Sequence, residues 1–107
     1  MILFKPEHVD LILKGIKTET RRTWKKQRVK VGSIQKAKTK MLSKDYFAKL
    51  KILDVYLDKL GNMTVDDCYA EGGYMPDEYE DKFKEIYGFW KPELDVWVVK
   101  FKVEMED

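Results

Sequence analysis

The spacing of hydrophobic positions changes several times along the chain, and each change predicts a new element of secondary structure. Residues 2–5 form a short apolar run that indicates a strand. Pro6 then suits the first turn of a helix, and Val9, Ile12 and Leu13 share one helical face. Gly15 stands where a left-handed C-cap is expected, so the first helix should end there.

Alternation of hydrophobic and polar residues predicts three further strands, over residues 34–41, 46–57 and 96–103. The first of these places a row of lysines on one face, namely Lys36, Lys38 and Lys40. The second places small and aliphatic side chains on one face, namely Ala48, Leu50 and Ile52. The last strand has an apolar face that includes Trp97, so we expect Trp97 in the core.

Two short helices should lie between the last two strands. Thr64, with Asp67 three residues later, is typical of a helix N-cap, and this helix should run to about Ala70. A second helix should open at Pro76 and stop at Gly88. Its apolar stripe consists of Tyr79, Phe83 and Ile86. This order favours an α+β fold, a small mixed barrel with helices at its margin, over a parallel βαβ sheet.

Length and composition predict a single domain, residues 1–107, that can bury one core. No apolar run approaches the roughly 18 residues that span a bilayer, so we expect no membrane partner. The one cysteine, Cys68, cannot form an internal disulfide and should be a small buried residue. These features favour a cytoplasmic setting, and we expect a monomer.

The net charge of +2 hides a division between the two parts of the chain. Residues 1–60 carry 16 Lys and Arg against 6 Asp and Glu, whereas residues 61–107 carry 5 against 13. The basic part would attract phosphates, or the two parts would neutralise each other across the fold. One basic segment is a candidate patch for a nucleic-acid backbone, or alternatively a solvated surface; it contains Lys25, Lys26, Arg28 and Lys30.

Residues 15–22 concentrate the side chains that carry chemistry, and we expect them on an exposed loop after the first helix. Four of these residues have offsets of zero, two, five and seven, namely Gly15, Lys17, Thr20 and Arg22. The spacing resembles the G-x-K-x-x-[E/T]-x-R signature of the ASCH-domain family, small barrels related to the PUA RNA-binding fold. The turn at 31–33 and the acidic Glu71 before a glycine look like further family elements. The resemblance covers nearly the whole chain and implies a PUA-like barrel of five or six strands with about three short helices.

The resemblance also implies a function. Some small members of this family are amidohydrolases that remove the acetyl group of N4-acetylcytidine with a lysine, a threonine and a glutamate. Carried over by motif, these residues are Lys17, Thr20 and Glu71, with Glu78 as the alternative acid. Arg21 stands where those enzymes carry an apolar residue, and its charge would alter the pocket or favour a phosphorylated ligand.

The residue types fit the roles that the resemblance implies. Thr20 supplies a hydroxyl nucleophile, Lys17 a base if its pKa is lowered, and Glu71 an acid that orients Lys17. The alternative is an ordinary pair of Lys17 with Glu71, with Thr20 as a strand residue. Arg22 is expected to grip a phosphate or a base edge, or else to pair with Glu19 or Glu71.

The remaining candidates are aromatic or isolated residues. Several aromatic side chains could stack on a base or serve as packing, namely Trp24, Tyr74, Phe89 and Trp90. His8 has no ligand partners at useful spacing and is expected to be solvated, and no metal or cofactor is expected. Recognition of RNA or a modified nucleoside is the main hypothesis, with amidohydrolysis as its sharper form. One alternative is a non-catalytic RNA-binding module, in which the basic segment together with Lys36, Lys38 and Lys40 would contact phosphates. The other alternative is a nuclease.

Overall fold

The computed structural model describes residues 1–105, which form one five-stranded sheet and three helices. In chain order the elements are β1 (Ile2–Leu3), α1 (Val9–Leu13), β2 (Glu19–Arg22), β3 (Ile34–Lys38), β4 (Ala48–Lys59), α2 (Val65–Gly72), α3 (Pro76–Tyr87) and β5 (Asp95–Val103). Short 3₁₀ turns occupy Pro6–His8 and Leu60–Asn62. The sheet curls into a half-barrel, and the predicted mixed α+β, PUA-like fold is confirmed.

The sheet has the strand order β1-β3-β4-β5-β2. Only β1 and β3 run parallel, and the other neighbouring pairs are antiparallel. The long antiparallel pair of β4 and β5 forms the centre of the sheet, with a register shift between Ile52 and Asp54. Such a bulge bends a strand and increases its twist, which suits the curl of the sheet. The short β2 pairs with β5 alone and lies at one edge.

Both faces of the sheet are covered by apolar groups over part of their area. The larger core contains Ile2, Phe4, Ile12, Val29, Ala37, Ala48, Leu50, Ile52, Val99 and Phe101. A second core lies against α2 and α3 and contains Leu60, Cys68, Tyr79, Phe83, Val96 and Val98. The burial predicted for Cys68 is therefore confirmed, and Ala48, Leu50 and Ile52, which were predicted to share one face of β4, form its buried side. The expectation that Trp97 lies in the core is wrong, because Val96 and Val98 fill the second core and leave Trp97 half-buried.

The predicted helix caps are formed as expected. Thr64 Oγ1 accepts a hydrogen bond from the Asp67 amide at 3.1 Å, and the Asp67 carboxylate accepts one from the Thr64 amide at 2.9 Å. Gly15 and Gly88 have φ of 76° and 81°, a left-handed conformation that costs glycine little. The helix predicted to run to about Ala70 and to end at Glu71-Gly72-Gly73 has Gly72 as its last residue and Gly73 as its C-cap.

Several strand boundaries differ from the prediction, and β1 ends at Leu3, before the predicted position 5. β3 ends at Lys38, before the predicted position 41, and β4 begins at Ala48, after the predicted position 46. The expected exposed loop at 15–22 is wrong in its second half, where Glu19–Arg22 form β2. Polar side chains can be buried there because each finds a charged or hydrogen-bonding partner. None of the helices in residues 1–105 is long and apolar enough to cross a membrane.

Candidate functional site

Side chains alternate along β2, and this alternation divides the polar motif into two sets. Glu19 and Arg21 turn toward α2, where Arg21 contacts two of its acidic residues. Thr20 and Arg22 belong to the other side of the strand, where they bond to each other. Thr20 lies opposite Val99 of the larger core in the strand register.

Lys17 lies just before β2 and is almost fully buried, with 3% of its surface exposed. Its Nζ donates hydrogen bonds to the backbone oxygens of Glu71 at 2.6 Å and Glu19 at 3.0 Å. A third bond, at 3.2 Å, reaches Glu71 Oε2, so the predicted pairing of Lys17 with Glu71 is formed. Burial lowers the pKa of Lys17, and the Glu71 carboxylate opposes this shift. The three hydrogen bonds thus fix the orientation of the Lys17 side chain, and its burial disfavours the charged form.

Arg21 is the centre of a second set of ion pairs beneath the same residues. Its Nη1 donates to Glu19 Oε1 at 2.8 Å and to Glu71 Oε1 at 3.1 Å, and its Nη2 lies 3.5 Å from Asp67 Oδ2. Burial would lower the pKa of Arg21, but the Glu19 and Glu71 carboxylates raise it above its usual value. Burial also raises the pKa of Glu19. The guanidinium is held by three carboxylates, and ligand binding by Arg21 stays a prediction.

Arg22 has a different environment. Its Nε donates to Thr20 Oγ1 at 3.1 Å, its Nη2 donates to the Leu3 carbonyl at 2.6 Å, and its guanidinium lies over the Phe4 ring at 5.2 Å. No carboxylate among residues 1–105 pairs with it, so the alternative of a salt bridge to Glu19 or Glu71 is wrong. Burial lowers the pKa of Arg22. Arg22 is thus a partly buried cation without a carboxylate counterion in this part of the chain.

These residues line a cavity of about 360 Å³, which is within the size range of small-molecule sites. The polar part of its wall includes Lys17, Thr20, Arg21, Arg22 and Glu71, and Lys5, Glu7, Thr39 and Lys82 also line it. The aromatic part consists of Phe4, His8, Tyr74, Tyr79, Phe83 and Tyr87. The three residues that the motif assigned to catalysis therefore border one space. Among the described hydrogen bonds, however, Thr20 is joined to Arg22 and none joins it to Lys17.

His8 belongs to this wall, contrary to the expectation that it is solvated. Its Nε2 lies 2.9 Å from the Tyr74 hydroxyl. Burial, with a contribution from the nearby Lys17 charge, lowers the pKa of His8 to about 4, so the imidazole is neutral at neutral pH. Local sequence patterns do not predict this contact, because His8 and Tyr74 are 66 residues apart along the chain. The only local signal of a site there was an aromatic residue, Tyr74, in the short connection between α2 and α3.

Other predicted residues lie elsewhere. Glu78, the alternative acid, is exposed and accepts a hydrogen bond from the Met75 amide at the start of α3. Trp90 and Phe89 pack against Phe83 with ring centroids at 5.5 and 6.0 Å, which is a packing role. Tyr74 alone of the four candidate stacking residues lines the cavity.

The basic segment forms a separate surface. A shallow depression there is lined by Thr23, Trp24, Lys25, Lys26 and Arg28. Arg28 lies over the Trp24 ring at 5.8 Å, and Lys30 is exposed nearby in sequence. None of the four basic residues of this segment borders the 360 Å³ cavity. Their contact with phosphates stays a prediction.

No group of three or more metal-binding side chains occurs among residues 1–105. The carboxylates near the cavity face Arg21 and Lys17, and these cations occupy the positions that a metal ion would need.

Two solved structures resemble the fold. An ASCH domain from Lactobacillus crispatus JV V101 superposes with a TM-score of 0.72 at 17% identity, covering 89% of this chain and 69% of that chain. A protein from Enterococcus faecalis V583 described as DUF984 superposes with a TM-score of 0.67 at 17% identity, covering 95% and 74% of the two chains. No protein-family model matches the sequence, and no curated protein matches it. The chain therefore has the ASCH-domain fold, as the motif resemblance implied.

Proposed function

We propose that this protein recognises a nucleobase of RNA or of a modified nucleoside in the 360 Å³ cavity. The observation that carries this proposal is the composition of the wall, in which aromatic rings face a set of fixed polar groups. Aromatic rings stack on planar bases, and a few fixed donors and acceptors select among them. The ASCH-domain fold and its relation to RNA-binding barrels support the same ligand class.

The sharper form of the proposal is hydrolysis of an N4-acylated cytidine. The Thr20 oxygen attacks the acyl carbon while its proton passes to the neutral amine of Lys17. The amide C–N bond breaks, and Lys17 returns that proton to the departing N4 amine. Water then hydrolyses the ester on Thr20, which releases the carboxylic acid and restores the hydroxyl. Glu71 holds Lys17 in place throughout.

Two features of the site support this assignment. Burial lowers the pKa of Lys17, which favours the neutral amine that the first step needs. Arg22 donates to the Thr20 oxygen and so favours a more anionic oxygen. The required contact of Thr20 with Lys17 is absent from the described hydrogen bonds, and such contacts commonly tighten only when substrate is bound.

The test is release of cytidine from N4-acetylcytidine by the purified protein, followed by chromatography. Thr20→Val keeps the shape of the side chain without the hydroxyl, and we expect it to lower the rate by about 10²-fold or more. Thr18→Val is the matched control, because Thr18 is an exposed threonine two residues earlier. Equal rates for Thr20→Val and the parent would refute Thr20 as nucleophile, provided that both variants give the circular dichroism of the parent.

A second candidate is a non-catalytic RNA-binding module. The observation that favours it is the completeness of the polar set, because all three donors of the Lys17 ammonium already have protein acceptors. This candidate predicts binding of N4-acetylcytidine or of RNA with no turnover. Titration calorimetry with the parent, Arg22→Met and Thr20→Val tests this candidate. A binder should lose affinity in Arg22→Met and keep its affinity when the Thr20 hydroxyl is removed.

The nuclease alternative has less support. Cleavage of a phosphodiester by acid and base catalysis needs two groups in opposite protonation states. His8 is the one histidine of the chain, and with a pKa of about 4 it is not protonated at neutral pH. The Tyr74 hydroxyl also occupies its Nε2.

A further inference from the structure

The face of the sheet that carries the second core is covered by helices at one end only. There Val96 and Val98 of β5 pack in the second core, whereas Lys102 on the same side of the strand is exposed. Beside it, the side of β3 and β4 opposite to the larger core also carries lysines. We refer to these residues of three adjacent strands as the lysine face; it consists of Lys36, Lys49, Lys51 and Lys102.

The lysines of this face lie directly opposite one another. In the strand register Lys36 is paired with Lys49, and Lys51 with Lys102. Like charges in such positions destabilise a sheet, and a surface shaped by stability alone would alternate the two signs. The antiparallel pair of β4 and β5 does alternate the two signs at its other end, where Lys59 is opposite Asp95 and forms an ion pair with it.

Among the described residues, the surroundings of Lys36, Lys51 and Lys102 do not neutralise their charge. Within residues 1–105, no carboxylate lies at ion-pair distance from Lys36, Lys51 or Lys102. Tyr46 lies beside the face, with the Lys36 and Lys49 ammonium groups 5.1 and 5.7 Å from its ring centroid. The ring therefore orders two ammonium groups without removing their charge.

The lysine face is continuous with the cavity along the chain. β3 ends at Lys38, and the next residue, Thr39, lines the cavity. Thr39 is three positions after Lys36, so the Cα atoms of the two residues are about 10 Å apart in an extended chain. A strand of nucleic acid with one base in the cavity would therefore reach the lysines within a few nucleotides.

We infer that the lysine face binds the phosphate backbone of a single-stranded RNA, one base of which enters the cavity. A cationic surface with an aromatic ring beside it is typical of proteins that bind single strands. The choice of RNA rests on the proposed function of the cavity, whereas the preference for a polyanion rests on Lys36, Lys51 and Lys102. An acidic lipid surface is the competing partner, and the experiment includes it.

The test variant is Lys36→Glu with Lys51→Glu, which places a carboxylate opposite a lysine in each pair. We expect thermal stability to rise, because the substitutions replace like charges by opposite ones. We also expect affinity for a fluorescent 12-nucleotide oligouridine to fall at least tenfold in 0.1 M salt. The control is Lys14→Glu with Lys91→Glu, which changes net charge equally at exposed positions outside the face.

Salt titration gives a second readout. Each phosphate contact on a single strand contributes about −0.7 to the slope of log affinity against log salt, so the loss of two contacts should flatten it by about 1.4. Equal losses for the test and control variants, or an unchanged slope, would overturn the inference. Parent binding to phosphatidylserine vesicles but not to RNA would also overturn it. Lys36→Gln with Lys51→Gln serves the same purpose if the first variant does not fold.

The two proposals fail in different ways. The test variant should bind N4-acetylcytidine like the parent, because its residues do not border the cavity. Arg22→Met should weaken nucleoside binding and leave the salt slope for RNA unchanged within one contact. If the parent binds no nucleoside and the lysine variant still loses RNA affinity, the cavity proposal is wrong and the lysine face stands.

Discussion

The substitution Arg21→Met tests the structural role of the buried ion pairs. It removes the guanidinium and keeps a side chain of similar length, leaving Glu19, Glu71 and Asp67 around an apolar group. Breaking a buried ion pair by removing one partner costs about 3–5 kcal/mol. Glu71 keeps Lys17 as a partner, but no other side chain of the described residues donates to Glu19. At roughly 4 °C per kcal/mol for a domain of this size, the melting temperature should fall by about 12–20 °C.

The loss should depend on pH, and its direction follows from the carboxylates. In the parent, burial would raise the pKa of Asp67, but the Thr64 amide and Arg21 hold it below its usual value. This stabilisation is present at neutral pH and is lost as the pH falls through the folded-state pKa. Without Arg21 the carboxylates of Glu19 and Asp67 lose their cation, so their pKa values rise and protonation stabilises the folded variant. The difference between parent and variant should therefore be smaller at pH 5 than at pH 8.

Urea denaturation at the two pH values measures this difference. Arg22→Met is the matched control, because Arg22 is the same residue type in the next position and has no carboxylate partner in residues 1–105. Its loss of two hydrogen bonds should cost about 1–3 kcal/mol with little dependence on pH. Equal costs for the two variants, or an Arg21→Met deficit that is constant with pH, would refute the reasoning. If Arg21→Met does not fold, Arg21→Lys should show a smaller loss with the same pH trend.

Three further predictions concern local structure. Thr64→Ala removes the side-chain bond to the Asp67 amide, and thermal melting should show a loss of about 1 kcal/mol. Gly73→Ala should cost more than about 1 kcal/mol in the same assay, because φ there is 78°; no loss would contradict the left-handed cap. His8 has its pKa lowered from 6.5 to about 4, so the parent should lose stability as the pH falls through that interval. His8→Gln should lose less there, and equal pH profiles of urea midpoints would contradict the burial of His8.

Much of the fold could be predicted because several elements have a period that local physics determines. The alternation in 46–57 marked the buried side of β4, which Leu50 and Ile52 occupy. Glycines with a left-handed requirement marked helix ends at Gly15 and Gly88. In these elements the burial pattern depends on neighbours within a few residues, so the sequence carries it directly.

β2 could not be predicted, because its four residues show no hydrophobic pattern. Glu19 and Arg21 are buried only through partners on α2, and the similar pairing of Lys17 with Glu71 joins residues 54 apart. Burial of charge depends on those distant partners, which local periodicity does not reveal. The same limit applied to Trp97, since the second core of the helices buries the opposite side of β5.

The charge on Arg21 has a consequence for the ligand that differs from the first expectation. A cation at this position was expected either to alter the pocket or to favour a phosphorylated ligand. The structure surrounds Arg21 and Lys17 with the carboxylates of Glu19, Asp67 and Glu71, three negative groups for two positive ones. Arg21 therefore adds no net positive charge to the cavity wall. Of the two arginines at the cavity wall, Arg22 has no carboxylate partner in residues 1–105, and it lies on the opposite side of β2. An attraction for phosphate at this wall would therefore follow from Arg22 and from the lysines that also line it, Lys5 and Lys82, and not from Arg21.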